Sequence, residues 1–337
     1  MRYKTQYLLS SHQKGKINMP SILAILIVLI ISFISPVKPQ SLNFTFNGFR
    51  GSNLTLDGVA EINSRGLLKL TKPSIQQKGH AFYPNMVTFK RTTNGTVSSF
   101  STTFVFAVIP DDSGVASDGM AFVISPTTDF SLALPSQYLG LFNTSTTGNN
   151  GSHIIAVELD NLYNSEFSDI NDNHVGLDIN GLNSVLSSSA GYFDDLEGKF
   201  VNLSLRSQKA MQVWVDYDSK KHEVNVTLAP IKHAKPKVPL LSLQRDLSPY
   251  LLESMYVGFS AGTGPVKTSY CVLGWSFQID GEATPLSPRL PRFKKRKISK
   301  WLTIGLPVIS FFLLVLLIMC CCKGEVTYSF GMSYTSE

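Results

Sequence analysis

The chain has 337 residues, 43% of them hydrophobic, and a formal net charge of +6. That charge is unevenly placed: Ser41 to Pro288 hold 17 Lys and Arg against 22 Asp and Glu, a net −5, which excludes the basic footprint of a nucleic-acid binder. Three of the four cysteines form the run Cys320, Cys321 and Cys322, so Cys271 stands alone and no disulfide staples the middle of the chain.

In chain order, residues 1–40 open with Arg2, Lys4, Lys14 and Lys16 and no acid, followed by the apolar run SILAILIVLIISFISPV. Basic, then apolar, then polar with proline is the order of a signal peptide. N-x-S/T sequons begin at Asn43, Asn53, Asn94, Asn143, Asn150, Asn202 and Asn225. All lie between the two most hydrophobic segments, as expected for a region that enters the secretory lumen. In VSSFSTTFVFAVI, Phe100, Phe104, Phe106 and Val108 fall on one face. In MQVWVDYD, Met211, Val213, Val215 and Tyr217 do the same. This period of two predicts half-buried strands. DYDSKK then leads into HEVNVTL, where Val224, Val226 and Leu228 alternate, so a hairpin is expected. No long helical periodicity appears between Ser41 and Asp280, and two packed antiparallel sheets are the natural way to bury these faces. The domain over 41–280 is expected to be all-β. Cys271, inside the apolar run YCVLGWSF, reads as a buried, inert thiol.

Past Asp280, GEATPLSPRLPRFKKRK mixes proline with charge and predicts an extended stalk over 281–300. WLTIGLPVISFFLLVLLIMCCC, residues 301–322, carries no charge and has about the length a helix needs to cross a bilayer. Residues 323–337 would form a short cytoplasmic tail. The basic cluster Arg292 to Lys300 favours the cytoplasm by the positive-inside rule, but the signal segment lies upstream and commits the chain first. A single-pass type I protein of the plasma membrane, with its domain outside the cell, is expected.

The tract VELDNLYNSEFSDINDNHVGLDIN, residues 157–180, gathers Glu158, Asp160, Asn164, Glu166, Asp169, Asp172, His174 and Asp178. Glu158 and Asp160 share a strand face because i and i+2 point the same way. Val175, Leu177 and Ile179 resume alternation, which puts His174 at a strand entrance. Clustered carboxylates suit Ca2+, and an added imidazole makes room for Mn2+ or another transition ion. One arrangement sets Asp160 and Asp169 between two ions, with Glu158 and His174 completing a manganese-like site. Asn164 and the Leu162 carbonyl would complete a calcium site. Carboxylates so close repel unless a cation neutralises them, while a solvated acidic loop that binds nothing is the competing interpretation. An EF-hand starting at Asp169 fails, because His174 occupies the glycine position and Asn180 the glutamate position. The E-x-D-x-x-E strand of many β-sandwich glycosidases fails too, since Tyr163 replaces the acid and leaves no proton donor.

The spacing from Glu158 through Asp160, Asn164 and Asp169 to His174 resembles the metal-binding segment of legume-type (L-type) lectins, in detail the ectodomains of plant lectin receptor kinases. Further blocks agree in order: FTFNGF, NLTLDGVAEI, LLKLT, SFSTTFVFAV, SDGMAFVISP, PSQYLGLFN, AGYFDD, MQVWVDYD, MYVGFSAGTG and LGWSF. The resemblance implies a concanavalin-like jelly-roll β-sandwich with sugar bound at loops above a curved sheet. It implies that Asp118 accepts hydrogen bonds from sugar hydroxyls after a cis Ser117–Asp118 peptide. Asn164 would turn its amide oxygen to calcium and its NH2 to the sugar. The family's loop glycine corresponds to Gln137, its stacking aromatic to Leu162, and its specificity loop to Pro265 and Val266, all departures that leave room for a hydrophobic or glycopeptide ligand. No glycine-rich phosphate loop, HRD or DFG occurs in the 337 residues, so no enzymatic activity is expected of them. The implied protein is a Ca/Mn-dependent, membrane-anchored plant lectin acting as a kinase-less receptor or co-receptor with a signalling partner such as a receptor kinase. Homodimerisation is compatible with that role. The alternatives are a truncated lectin receptor kinase, or an interaction module for protein or apolar ligands with structural metals.

Overall fold

The computed structural model describes residues 42–93, 95–110, 114–293 and 306–326, and within the last stretch the side chains of 308–319. The segment read as a signal peptide, the tail beyond 326 and Asn94 lie outside the described residues.

The alternating segments assemble into two antiparallel sheets. The back sheet runs Leu241–Gln244, Glu223–Pro230, Met211–Asp218, Phe100–Ile109, Ser269–Ile279, Leu68–Lys69 and Glu61–Ile62, with Asn43–Phe46 also paired to Ser269–Ile279. The front sheet runs Leu186–Ser189, His174–Ile179, Ile155–Asp160, Gly119–Ser125, Ser254–Thr263, Gln77–Phe82 and Thr55–Gly58, with Val87–Thr88 paired to Ser254–Thr263. The predicted hairpin is present, Tyr217 facing Val224 across it. Its first strand alternates buried and half-buried residues, because only one face meets the core.

Between the sheets, Phe104, Phe106, Phe122, Phe259, Trp275 and Phe277 form the centre of the core, all buried. Trp275 meets Phe259 edge to face at 4.9 Å, and its indole N–H donates to Thr102 Oγ1 at 3.0 Å. The ring thus packs without leaving a polar group unpaired.

Two outer faces that a bare sandwich would leave wet are covered. Over the front sheet, Phe130, Leu139, Leu141 and Phe142 pack on Phe82, Ala121, Val123 and Ala156. This fixes the 130–142 loop against the strand ends. Over the back sheet, Leu286, Leu290 and Phe293 lie against Val105, Ala107, Ile109, Cys271 and Leu273. Phe100–Ile109 is therefore buried at every residue rather than half-buried as predicted. The first part of the expected stalk is irregular in backbone but seated on the sheet. Two glycines admit it: a Cβ on Gly274 would lie 2.8 Å from the Leu290 side chain, and one on Gly48 would lie 2.8 Å from Pro291. Leu290 is half-buried, so Leu290→Ala is expected to cost about 1–2 kcal/mol, read as a lower urea midpoint.

Cys271 sits under this strap, and burial pushes its thiol pKa up to about 12. Cys271 in the native protein is expected to resist iodoacetamide at a pH where Cys271 of the urea-unfolded chain reacts, followed by peptide mass mapping, because thiolate is the reactive form.

Along the helix Leu306–Val326, the apolar side chains over 308–319 are turned outward, with Phe311, Phe312, Leu314 and Leu317 each more than half exposed. Among the described residues no helix is long and apolar enough to cross a membrane.

Candidate metal and ligand site

The acidic tract is assembled by cross-strand register. Ile155–Asp160 lies between Gly119–Ser125 and His174–Ile179, with Asp160 opposite both His174 and Gly119, and Glu158 opposite both Gly176 and Ala121. Neighbours in register share a face, so two carboxylates and an imidazole converge, and Gly176 beside them leaves room for the Glu158 and Ser184 side chains. Val157, Leu159, Val175 and Leu177 point the other way, into the core.

Glu158, Asp160 and His174 are buried and place ligand atoms within 4.8 Å of one another. The imidazole decides what the cluster can hold. His174 Nδ1 lies 2.8 Å from the Asn171 carbonyl, which only accepts, so Nδ1 carries the proton. Nε2 is then left facing Glu158 Oε1 at 3.1 Å and Asp169 Oδ1 at 3.9 Å. A bare lone pair against carboxylates repels, and the position demands a cation, either a proton or a metal ion. Without a metal the proton takes it: burial opposes charging His174, but the hydrogen bond and charge of Glu158, with Asp160, outweigh it and raise the pKa to about 9. Burial and the charge of Glu158 hold the Asp160 carboxyl well above its usual range, and burial raises Asp169. This donor set fits a divalent cation.

The loop leaving the strand is tied to the same carboxylates. Leu162 N–H donates to Asp160 Oδ1 at 2.9 Å, and Asn164 N–H donates to Asp169 Oδ2 at 2.7 Å. Asn164 also heads the short 3-10 turn Ser165–Phe167, its carbonyl accepting from Phe167 and Asp169. Leu162, Asn164 and Asp169 thus share one compact loop.

Asp118, just before Gly119–Ser125, is joined to that loop through its carbonyl, which accepts from Asn161 N–H at 2.9 Å. Gln137 Nε2 donates to Glu166 Oε1 at 3.1 Å, bringing the 136–140 turn to the same place. Pro265 and Val266 follow Gly264, whose N–H reaches Asp118 Oδ2 at 2.5 Å. The structure therefore brings Glu158, Asp160, Leu162, Asn164, Asp169, His174, Asp118 and Gln137 to one end of the front sheet, with Pro265 and Val266 next in sequence to Gly264.

The expected cis peptide is corrected. No described peptide bond is cis, and Asp118 makes the turn instead with φ 58°. Tyr270 OH donates to the Ser117 carbonyl at 2.6 Å, and Gly264 holds the carboxylate, so the trans geometry is pinned from both sides. A non-proline cis bond would cost about 3 kcal/mol. Asp118 is wholly buried, and its carboxylate accepts from Ser117 Oγ, from Ser136 Oγ at 2.8 Å and from Gly264 N–H. Burial raises its pKa and those hydrogen bonds pull the other way.

Sequence reasoning did not find Ser136 or Ser184. Ser184 Oγ lies 2.8 Å from Glu158 Oε1 and 2.7 Å from Asp178 Oδ1. One hydroxyl hydrogen cannot serve two carboxylates. Burial and the charge of Glu158 push the Asp178 carboxyl well above its usual range. No local pattern marks these residues, because Asp118 lies 18 positions from Ser136 and Glu158 lies 26 positions from Ser184.

Residues 41–291 match the legume lectin domain. The chain belongs to the legume lectin family. It is 52% identical over 281 residues to L-type lectin-domain containing receptor kinase IV.2 of Arabidopsis thaliana, covering 82% of this chain and 41% of that one. It thus spans less than half the length of that receptor kinase. Among solved lectins it is similar to lectin II from Ulex europaeus, with a TM-score of 0.60, 27% identity, and coverage of 71% and 99% of the two chains. The lectin from Bauhinia forficata in complex with GalNAc aligns with a TM-score of 0.58, 26% identity, and coverage of 71% and 98%. The jelly-roll sandwich expected from sequence is the fold found.

Proposed function

We propose that this legume lectin domain binds carbohydrate in a Ca2+- and Mn2+-dependent manner and is displayed outside the plasma membrane by an anchor in the 301–322 segment. The observation that carries this reading is the imidazole of His174, fixed by Asn171 so that Nε2 faces Glu158 and Asp169. Glu158, Asp160, Asp169 and His174 would hold a transition ion, and Asp160, Leu162, Asn164 and Asp169 calcium. These ions supply fixed positive charge that sets the loop carrying Leu162 and Asn164. Asp118, Asn164, Gln137, Leu162, Pro265 and Val266 would face the sugar, and the GalNAc held by the Bauhinia lectin makes a monosaccharide-sized ligand reasonable. The helix supports anchoring, since its outward apolar side chains have no protein partner to cover them among the described residues. Signalling would then pass through a partner such as a receptor kinase, or through a kinase domain in a longer form like the relatives.

A second reading, a protein or apolar ligand with structural metals, draws on the Asp118 carboxylate being fully engaged within the protein. Full-length chain in detergent, loaded with both ions, separates the two on a glycan array. Glycan binding that falls about tenfold or more in Asp118→Asn, the loss of a charged acceptor, is expected. Metal-loaded, folded protein that binds no glycan would leave the second reading.

A further inference from the structure

We infer that Ser136 is a built-in competitor for the carbohydrate site: its hydroxyl occupies Asp118 in place of a ligand hydroxyl, and it must leave before a sugar binds there. This rests on the lectin reading above and adds to it the residue that sets the affinity.

Three observations support it. First, Ser136 Oγ donates to Asp118 Oδ1 at 2.8 Å, while Ser117 Oγ and Gly264 N–H take Oδ2. A carboxylate is a strong acceptor for a polyol hydroxyl, yet this one is wholly buried and already carries three donors. Ser136 is the donor to evict. Ser117 is the adjacent residue in sequence, and the Gly264 amide is backbone at the end of Ser254–Thr263, whereas Ser136 is a side chain on a loop.

Second, the space over the carboxylate is filled from the opposite side. A Cβ on Gly264 would lie 2.5 Å from Ser136 Oγ and 2.8 Å from Asp118 Oδ2. A ligand hydroxyl cannot be added to this arrangement and has to replace something in it.

Third, the turn is braced. Ser136 has φ 61°, in the left-handed region that a side chain disfavours. Its carbonyl accepts from Leu139 N–H at 2.9 Å and packs so closely on Gly262 that a Cβ there would lie 2.6 Å from it. Gln137 latches the same turn to Glu166. With the backbone held, opening falls on rotation of the Ser136 side chain, and the lost hydrogen bond is subtracted from the ligand's gain.

The test uses full-length chain in detergent with Ca2+ and Mn2+, as wild type, Ser136→Ala, Ser136→Gly and Asp118→Asn, titrated calorimetrically with the methyl glycosides of mannose, glucose, galactose and N-acetylgalactosamine. Ser136→Ala removes the hydroxyl and keeps the Cβ, and Ser136→Gly also relieves the left-handed backbone. At least one glycoside is expected to bind both serine variants about tenfold or more tighter than wild type, the order of a hydrogen bond to a charged group. That gain should vanish when Asp118→Asn is added to Ser136→Ala. If a glycoside binds wild type through Asp118 and its Kd is unchanged in both serine variants, the competitor role is wrong and the lectin reading stands. A gain that survives Asp118→Asn also overturns it. If no glycoside binds any variant, both the competitor role and the monosaccharide reading fail.

Discussion

Mn2+ affinity is expected to fall about tenfold for each pH unit below 9, because metal must displace the proton that His174 holds. The sign follows from the proton count. In the metal-free cluster, His174 is protonated below about 9. The metal-bound cluster needs its Nε2 lone pair, so binding releases that proton and weakens as protons become abundant. Asp160 and Asp169, both raised, add to the slope at lower pH, where they too retain protons. Competition against a fluorescent chelator at several pH values measures this directly, and a flat profile would mean that Nε2 is not a ligand. Because ions bind the folded state, Mn2+ at roughly a thousand times its Kd adds about 4 kcal/mol of stability. In a domain of this size that is about 10 °C in Tm, and EDTA should remove it.

Gly176→Ala is expected to damage the cluster almost as severely while adding only a methyl group. A Cβ at Gly176 would lie 2.0 Å from Ser184 Oγ and 2.4 Å from Glu158 Oε1, the oxygen that faces His174. Neither clash can persist, so Glu158 and Ser184 must move. Displacing groups that orient a ligand typically lowers metal affinity about 10–100-fold, and overpacking costs about 1–3 kcal/mol. Adding Ser184→Ala removes the nearer clash and should recover part of the affinity. Wild-type Mn2+ affinity in Gly176→Ala would show that Glu158 does not need its present position.

Much of this was legible where the relevant partners are close in sequence. Met211–Asp218 and its hairpin return could be read from alternation and a turn, and Glu158, Asp160 and His174 sit within one tract. Phe100–Ile109 was harder, because Val105, Ala107 and Ile109 are covered by Leu286, Leu290 and Phe293, from a segment whose proline and charge suggested an extended stalk. Ser136 and Gly264 were out of reach. They meet Asp118 from 18 and 146 positions away, and only the folded register brings them together. The cis peptide failed for a related reason: Tyr270 and Gly264, distant in sequence, stabilise the trans turn at Asp118.

The most direct test of metal-organised sugar recognition is to follow ion content and glycan retention on the same sample. Full-length chain in detergent would be stripped with EDTA, reloaded with Mn2+ and then Ca2+, and passed at each stage over the immobilised glycan that the array identifies. Retention is expected to be absent after stripping and to return only when both ions are bound, with Asp118→Asn taking up the ions but not the glycan. Undiminished retention by stripped protein, or none by fully reloaded protein, would contradict the central claim.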